Sequence, residues 1–114
     1  MADYRIVIDQ STSGTKALLF DTALSVKLLN RVDKPHQQVY PKAGFIEHDP
    51  LEIVENTKLV IQQLLVNNHL KPADIKSLSI TNQRESVVVW DGKTGQPYGN
   101  VMVWQCNRGL KICQ

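Results

Sequence analysis

Ile6-Val7-Ile8-Asp9-Gln10-Ser11-Thr12-Ser13-Gly14-Thr15-Lys16-Ala17-Leu18-Leu19-Phe20-Asp21 is the stretch that decides how this chain folds. Tyr4 to Ile8 is short, apolar and rich in β-branched residues, as a strand packed on both faces would be. Thr15 to Phe20 reads as a second strand. Between them lie an acidic residue and a run of small, hydroxyl and amide side chains around one glycine. Such a turn lets backbone N–H groups crowd close to an anion, and the Ser and Thr hydroxyls add donors. A carboxylate beside a phosphate cradle requires a cation between them, so Asp9 points to a divalent metal. Lys16 could add a point charge to the phosphates. An ordinary hairpin, with Asp, Ser and Gly serving only the turn, accounts for the same residues.

The wider composition narrows the class. A chain of 114 residues, 42% apolar and 21% charged, is an ordinary globular mix able to bury a core. A net charge of +2 with no basic run gives no footprint for nucleic acid. No apolar run approaches the length of a membrane span, and the N-terminus lacks a signal-peptide pattern. Cys106 and Cys113 are expected on one helix, about 10 Å apart by the helical rise and too far for a disulfide. Reduced thiols and a cytoplasmic location are therefore expected.

After Phe20, the segment Asp21 to Ser25 is a turn, and Val26 to Val32 returns as a third strand, completing a meander. Pro35 to Glu47 has no period and reads as an irregular surface loop. His48-Asp49-Pro50-Leu51-Glu52 is a helix start, with Asp49 as cap, Pro50 at the first position and Glu52 closing a capping-box-like pair. Ile53, Val54, Thr57, Val60, Ile61, Leu64 and Leu65 form one apolar face, and the helix should stop near Asn67 to His69. His48 and His69 have no partner cluster and read as loop or helix-end residues. Ile75 to Thr81 reads as a buried strand, Val87 to Trp90 as another, and Val101 to Trp104 as a third, with the turn Asp91 to Pro97 between the last two. From Cys106 a helix is expected, with Leu110 and Ile112 as core residues.

Three strand ends carry polar or aromatic groups: Asp9, Arg84 with Glu85, and Trp104 with Gln105. Neighbouring strand ends in an open sheet form a natural ligand cleft. Arg84 donates and Glu85 accepts hydrogen bonds, which suits a polyhydroxy compound, and Trp104 offers an apolar wall. The same residues also fit a surface Arg84–Glu85 ion pair with Trp104 in the core.

Five blocks then carry a resemblance: Ile8-Asp9-Gln10-Ser11-Thr12, Gly44-Phe45-Ile46-Glu47-His48-Asp49-Pro50, Ile80-Thr81-Asn82-Gln83-Arg84-Glu85, Trp90-Asp91 and Val103-Trp104-Gln105-Cys106. In this order and over nearly the whole chain they resemble the N-terminal portion of the FGGY carbohydrate kinases. The resemblance implies an α/β chain of the ribonuclease-H-like, actin-like ATPase fold, a mixed β-sheet with flanking helices. It also implies ATP and Mg2+ as cofactors, and phosphorylation of a hydroxyl on a small polyol or sugar, glycerol foremost. Asp9 falls on the acidic residue that serves the metal–phosphate site, and is the catalytic and metal candidate. Thr12, Ser13, Gly14 and Thr15 fall on the first phosphate loop, with Lys16 beside them. Arg84, Glu85 and Trp104 fall on residues that contact glycerol. Ser11 stands where the family usually has Gly, and Lys16 where its glycerol-phosphorylating branch has Arg; Asn107-Arg108-Gly109 also departs from that branch. The Ser-Gly-Thr-Lys-Ala run is similar to the pentulose-kinase branch instead.

Family members are several times longer, so residues 1–114 are expected to be the N-terminal part of the first kinase domain. The second domain, and the aspartate that deprotonates the acceptor, are expected beyond Gln114, which would leave the chain inactive by itself. A homo-oligomer of the full-length protein stays open. A stand-alone, non-catalytic module binding a nucleotide, a sugar or a protein is the reading from another class.

Overall fold

The computed structural model describes residues 1–109. Strand β1 (Tyr4–Gln10) is followed by β2 (Gly14–Asp21), β3 (Lys27–Pro35) and a two-residue β4 (Glu47–His48). Helix α1 (Pro50–Asn67), a single 3-10 turn (Pro72–Asp74), β5 (Ile75–Thr81) and a two-residue β6 (Val101–Met102) complete it. The main sheet has the order β3-β2-β1-β5, antiparallel throughout the meander and parallel between β1 and β5. A second, small sheet pairs β4 with β6.

Alternation along β1 and β2 decides what is buried. Ile6 pairs with Leu19 and Ile8 with Ala17, and these four pack with Val60 and Leu64 of α1 as the core. The helix starts as its residues dictate: Asp49 accepts from the Leu51 N–H at 2.9 Å, and Pro50 takes the first position. Glu52 does not close a capping box. Its carboxylate accepts instead from the Gln37 N–H at 2.8 Å, tying the loop after β3 to the first turn of the helix. Asn56 is buried on the inner face, its amide donating to the Pro35 carbonyl, whereas Val54 is exposed. The helix ends at Asn68, with His69 in the left-handed region.

Other expectations need correction as well, among them the strand Val101 to Trp104, which ends at Met102. Ile75–Thr81 is a strand but not a buried one. It is an edge, and because α1 lies over β2 and β3, Leu78 and Ile80 stay 45% and 64% exposed although their register places them on the Ile6–Ile8 face. Val87 to Trp90 forms no strand; it pairs through isolated bridges, Val87 to Met102 and Trp90 to Pro97. Between those bridges the returning chain carries two extra residues, which break a continuous ladder. Pro35–Glu47 is not wholly irregular, since Val39 pairs with Glu47 and Glu47 pairs with Met102. Finally, Cys106 to Gly109 is irregular chain ending in a turn rather than a helix. Cys106 is a free, half-buried thiol, while Leu110, Ile112 and Cys113 lie outside the described residues.

The Cα radius of gyration is 17.0 Å, against ~13 Å for a compact domain of this length, in keeping with a sheet whose β5 end carries no covering layer among the described residues. No helix among them is long and apolar enough to cross a membrane.

Gly14 is required by packing. A Cβ there would stand 2.6 Å from the Lys34 carbonyl oxygen and 2.9 Å from the Pro35 Cα, so β3 can approach β2 only against a bare backbone. Gly14→Ala should destabilise the chain by about 1–3 kcal/mol, lowering the melting temperature by roughly 4 °C or more. Gly92→Ala, where a Cβ meets nothing within 4 Å, should change stability by less than about 0.5 kcal/mol. Thermal denaturation of the two variants checks this; equal melting points would remove Gly14 from the packing argument.

Candidate functional site

Asp9 stands near the end of β1, with Thr81 opposite it on β5 and Lys16 opposite it on β2. The Thr81 hydroxyl donates to Asp9 Oδ1 at 3.1 Å. The turn that follows is internally satisfied: the Ser11 N–H and hydroxyl both donate to the Gly14 carbonyl, at 2.9 and 3.0 Å. The Thr15 hydroxyl donates to Gln10 Oε1.

Beyond that turn, an open cleft of about 560 Å³ is lined by Asp9, Thr12, Arg84, Glu85 and Trp104, among others. Side chains far apart in sequence thus meet in one place. Ser13, Gly14, Thr15 and Lys16 are not in it. They border a smaller hollow of about 250 Å³ with Asp33, Lys34 and Pro35, and Thr15 is fully buried.

Arg84 and Glu85 are both exposed, and among the described residues neither makes an ion pair. Their charges are therefore available to a ligand. Glu85 has φ +57°, in the left-handed region, a conformation that costs a non-glycine residue about 1–3 kcal/mol and is enriched at functional sites. Trp104 is 55% exposed and so is not a core residue; its indole Nε1–H donates to the Thr12 hydroxyl at 2.9 Å.

Two supports hold this cleft, and sequence reasoning passed over both. One is a clasp below Trp104. The Asn107 N–H donates to the Gly44 carbonyl at 3.0 Å, and Gly44, at φ +78°, leaves no room for a side chain against Asn107. Arg108 pairs with Glu47 and lies over the Phe45 ring at 4.3 Å from its centroid. The Arg108 guanidinium holds the Glu47 carboxyl below its ordinary range, with the Asn100 amide adding to the effect. The other support is a buried histidine pair, His36 and His48, whose rings pack edge to face with centroids 4.4 Å apart. His36 Nε2 lies 2.8 Å from the Thr12 carbonyl, which also accepts from Gln38 Nε2 at 3.0 Å. His48 Nε2 lies 2.7 Å from Gln38 Oε1. The loop around His36 and Gln38 has no periodicity, so only the tertiary contact could reveal this network.

Among the described residues no group of three or more His, Cys, Asp or Glu side chains gathers in a metal-holding cluster. A lone carboxylate suits magnesium, which keeps several waters and is held by one or two carboxylates plus the substrate's phosphates. Asp9, with one oxygen bonded to Thr81, fits that donor set.

Comparison with known proteins places the chain. Residues 4–114 match the model of the FGGY family of carbohydrate kinases, N-terminal domain. The chain is 46% identical over 111 residues to glycerol kinase 1 of Thermotoga maritima, covering 97% of this chain and 22% of that protein. It is 44% identical over 113 residues to the glycerol kinase of Caldanaerobacter subterraneus, covering 99% of this chain and 22% of that protein. Among solved structures, the glycerol kinase of Plasmodium falciparum with ADP superposes with a TM-score of 0.86 at 33% identity, over 97% of this chain and 22% of that one. The gluconate kinase of Lactobacillus acidophilus gives 0.85 at 25% identity, over 98% and 22%. The chain thus spans about a fifth of the length of the curated relatives it matches, and its mixed sheet with a covering helix is part of the actin-like ATPase fold of these kinases. By its family match and by these identities, the chain belongs to the FGGY family of carbohydrate kinases.

Proposed function

We propose that this chain contributes the acceptor wall and one metal-holding carboxylate to an ATP-dependent kinase that phosphorylates a hydroxyl of a small polyol, glycerol foremost. The observation that carries the reading is the meeting of Asp9, Arg84, Glu85 and Trp104 on one open cleft. Arg84 donates to acceptor oxygens, Glu85 accepts from acceptor hydroxyls, and the Trp104 indole covers the carbon backbone. Thr12 accepts from Trp104, which leaves its own hydroxyl hydrogen free to donate into the cleft. Magnesium arriving with the nucleotide would neutralise charge on the phosphates, with Asp9 holding it directly or through water. Lys16 shares a sheet face with Asp9 by register and can add positive charge near the phosphates.

A sugar acceptor is the second reading. It is favoured by the likeness to the gluconate kinase structure and by Lys16 in the Ser-Gly-Thr-Lys-Ala run. An acceptor panel of glycerol, a pentulose and gluconate, compared by kcat/KM, separates the two.

The two carboxylates on the cleft are already assigned, Asp9 to the metal and Glu85 to the acceptor, so neither is free to deprotonate the acceptor hydroxyl. The 114-residue chain alone should therefore release no ADP from ATP and glycerol above background. A coupled assay showing turnover of about 1 per second or more, within the ordinary enzyme range, would refute this.

Turnover itself is tested in a chimaera, with residues 1–109 replacing the matching segment of the Thermotoga maritima glycerol kinase. Glu85→Gln should lower kcat/KM for glycerol roughly ten- to a hundredfold, the value of one charge-assisted hydrogen bond. The KM for ATP and the melting temperature should hardly change, because Glu85 has no ion-pair partner among the described residues. Asp9→Asn should reduce kcat on the order of a hundredfold or more while the KM for glycerol stays near its starting value. An unchanged glycerol KM in Glu85→Gln, or near-normal kcat in Asp9→Asn at saturating magnesium, would end the respective assignment.

A further inference from the structure

The histidine pair beneath the cleft is buried, unlike the other groups around it. His36 is 7% exposed and His48 is fully enclosed. A carbonyl oxygen can only accept hydrogen bonds, and this fixes every proton in the network. The Thr12 carbonyl accepts from both His36 Nε2 and Gln38 Nε2, so His36 carries its proton on Nε2 and the Gln38 amide is turned with its oxygen away from Thr12. That oxygen faces His48 Nε2, so His48 also carries its proton on Nε2. Both Nδ1 atoms are then bare, and both are buried without a partner. A neutral His48 ring suits this arrangement, because a bare acceptor nitrogen costs less to bury than a charged donor without a well-placed partner.

We propose that His36, Gln38 and His48 are positioning residues: a buried hydrogen-bond relay that holds the Thr12 turn, and through the Thr12 hydroxyl the Trp104 indole, in place while His48 is neutral. The proposal deepens the reading of the cleft as an acceptor site, on which its functional meaning rests. Adding a proton to His48 would put a donor on Nδ1, which makes no hydrogen bond within ordinary geometry, and a positive charge against the His36 ring 4.4 Å away; the Gln83 side chain beside it offsets only part of that cost. The groups facing His48 are His36 and Gln38 from the loop after β3, Glu52 from α1, and Gln83 from the segment after β5. Burial, reinforced by His36, pushes the His48 imidazole below its ordinary value; Gln83 and Glu52 draw it up by less. A histidine depressed in the folded state leaves stability intact above its unfolded value of about 6.5 and loses it as pH falls below that.

Nuclear magnetic resonance on the 114-residue chain, without nucleotide or acceptor, tests the relay. Long-range nitrogen spectra at pH 7.5 should show both rings as Nε2–H tautomers. On acidification the Trp104 Nε1–H resonance should move upfield with the same midpoint as the His48 ring, below about 6.5, although Trp104 does not titrate. Trp90, which is far from the relay in its contacts, should stay still. His36→Phe keeps the edge-to-face packing but removes the donor, and should shift the Trp104 resonance already at pH 7.5. A Trp104 resonance indifferent to both pH and His36→Phe would overturn the proposal, as would an Nδ1–H tautomer on either ring. So would Trp90 moving together with Trp104, which would mean acid unfolding. Because these signals need no phosphoryl transfer, an inactive chimaera would count against the kinase reading alone.

Discussion

The parallel pairing of β1 with β5 is the constraint on which the cleft depends. Parallel strands end at the same edge of a sheet, so the register Asp9 to Thr81 delivers two chain segments, Gln10 onward and Asn82 onward, to one place. An antiparallel pairing would send them to opposite edges. The intervening chain is long enough to return only because α1 crosses over the sheet, and α1 is held there by Val60 and Leu64 on Ile6, Ile8, Ala17 and Leu19. Hydrophobic packing on one face of the sheet thereby sets the chemistry at its end.

Trp104 reaches the same cleft by different physics. It belongs to no strand, and the small β4–β6 sheet that precedes it has only two residues on each side. Polar closure makes up for that: Arg108 on Glu47, Asn107 on Gly44, and the indole on Thr12. Glu47, Gly44 and Phe45 come from one short stretch, so it both leads into the helix at His48-Asp49-Pro50 and anchors the Trp104 side of the cleft. Cys106 is drawn into the clasp as well, with the Arg108 guanidinium 3.0 Å from its sulfur.

Thr12 is where the two halves join. Its carbonyl faces the histidine pair and its hydroxyl faces Trp104, so a single residue of the turn connects the buried interior to the cleft. The glycine beside it serves a different purpose from the one its place in a small-residue turn suggests. Gly14 gives Lys34 and Pro35 room to approach, and Thr15 is enclosed with its hydroxyl already spent on Gln10.

Much of the fold and part of the cleft were legible in the residues themselves. The meander, the capped helix and the strand from Ile75 to Thr81 follow from alternation, helical spacing and capping, all of which act over a few neighbouring residues. Asp9, Arg84, Glu85 and Trp104 could be singled out because charged and aromatic groups at strand ends are conspicuous in any sequence. Their meeting in one cleft was decided by tertiary structure, since register and strand order depend on which apolar faces find each other across the whole chain. The edge position of β5, the broken pairing of Val87 to Trp90 and the two-residue strands were hidden for the same reason: local preference does not say which partner is present. The His36–Gln38–His48 network lay furthest from view, because a buried hydrogen bond is set by three-dimensional proximity and leaves no period in the sequence.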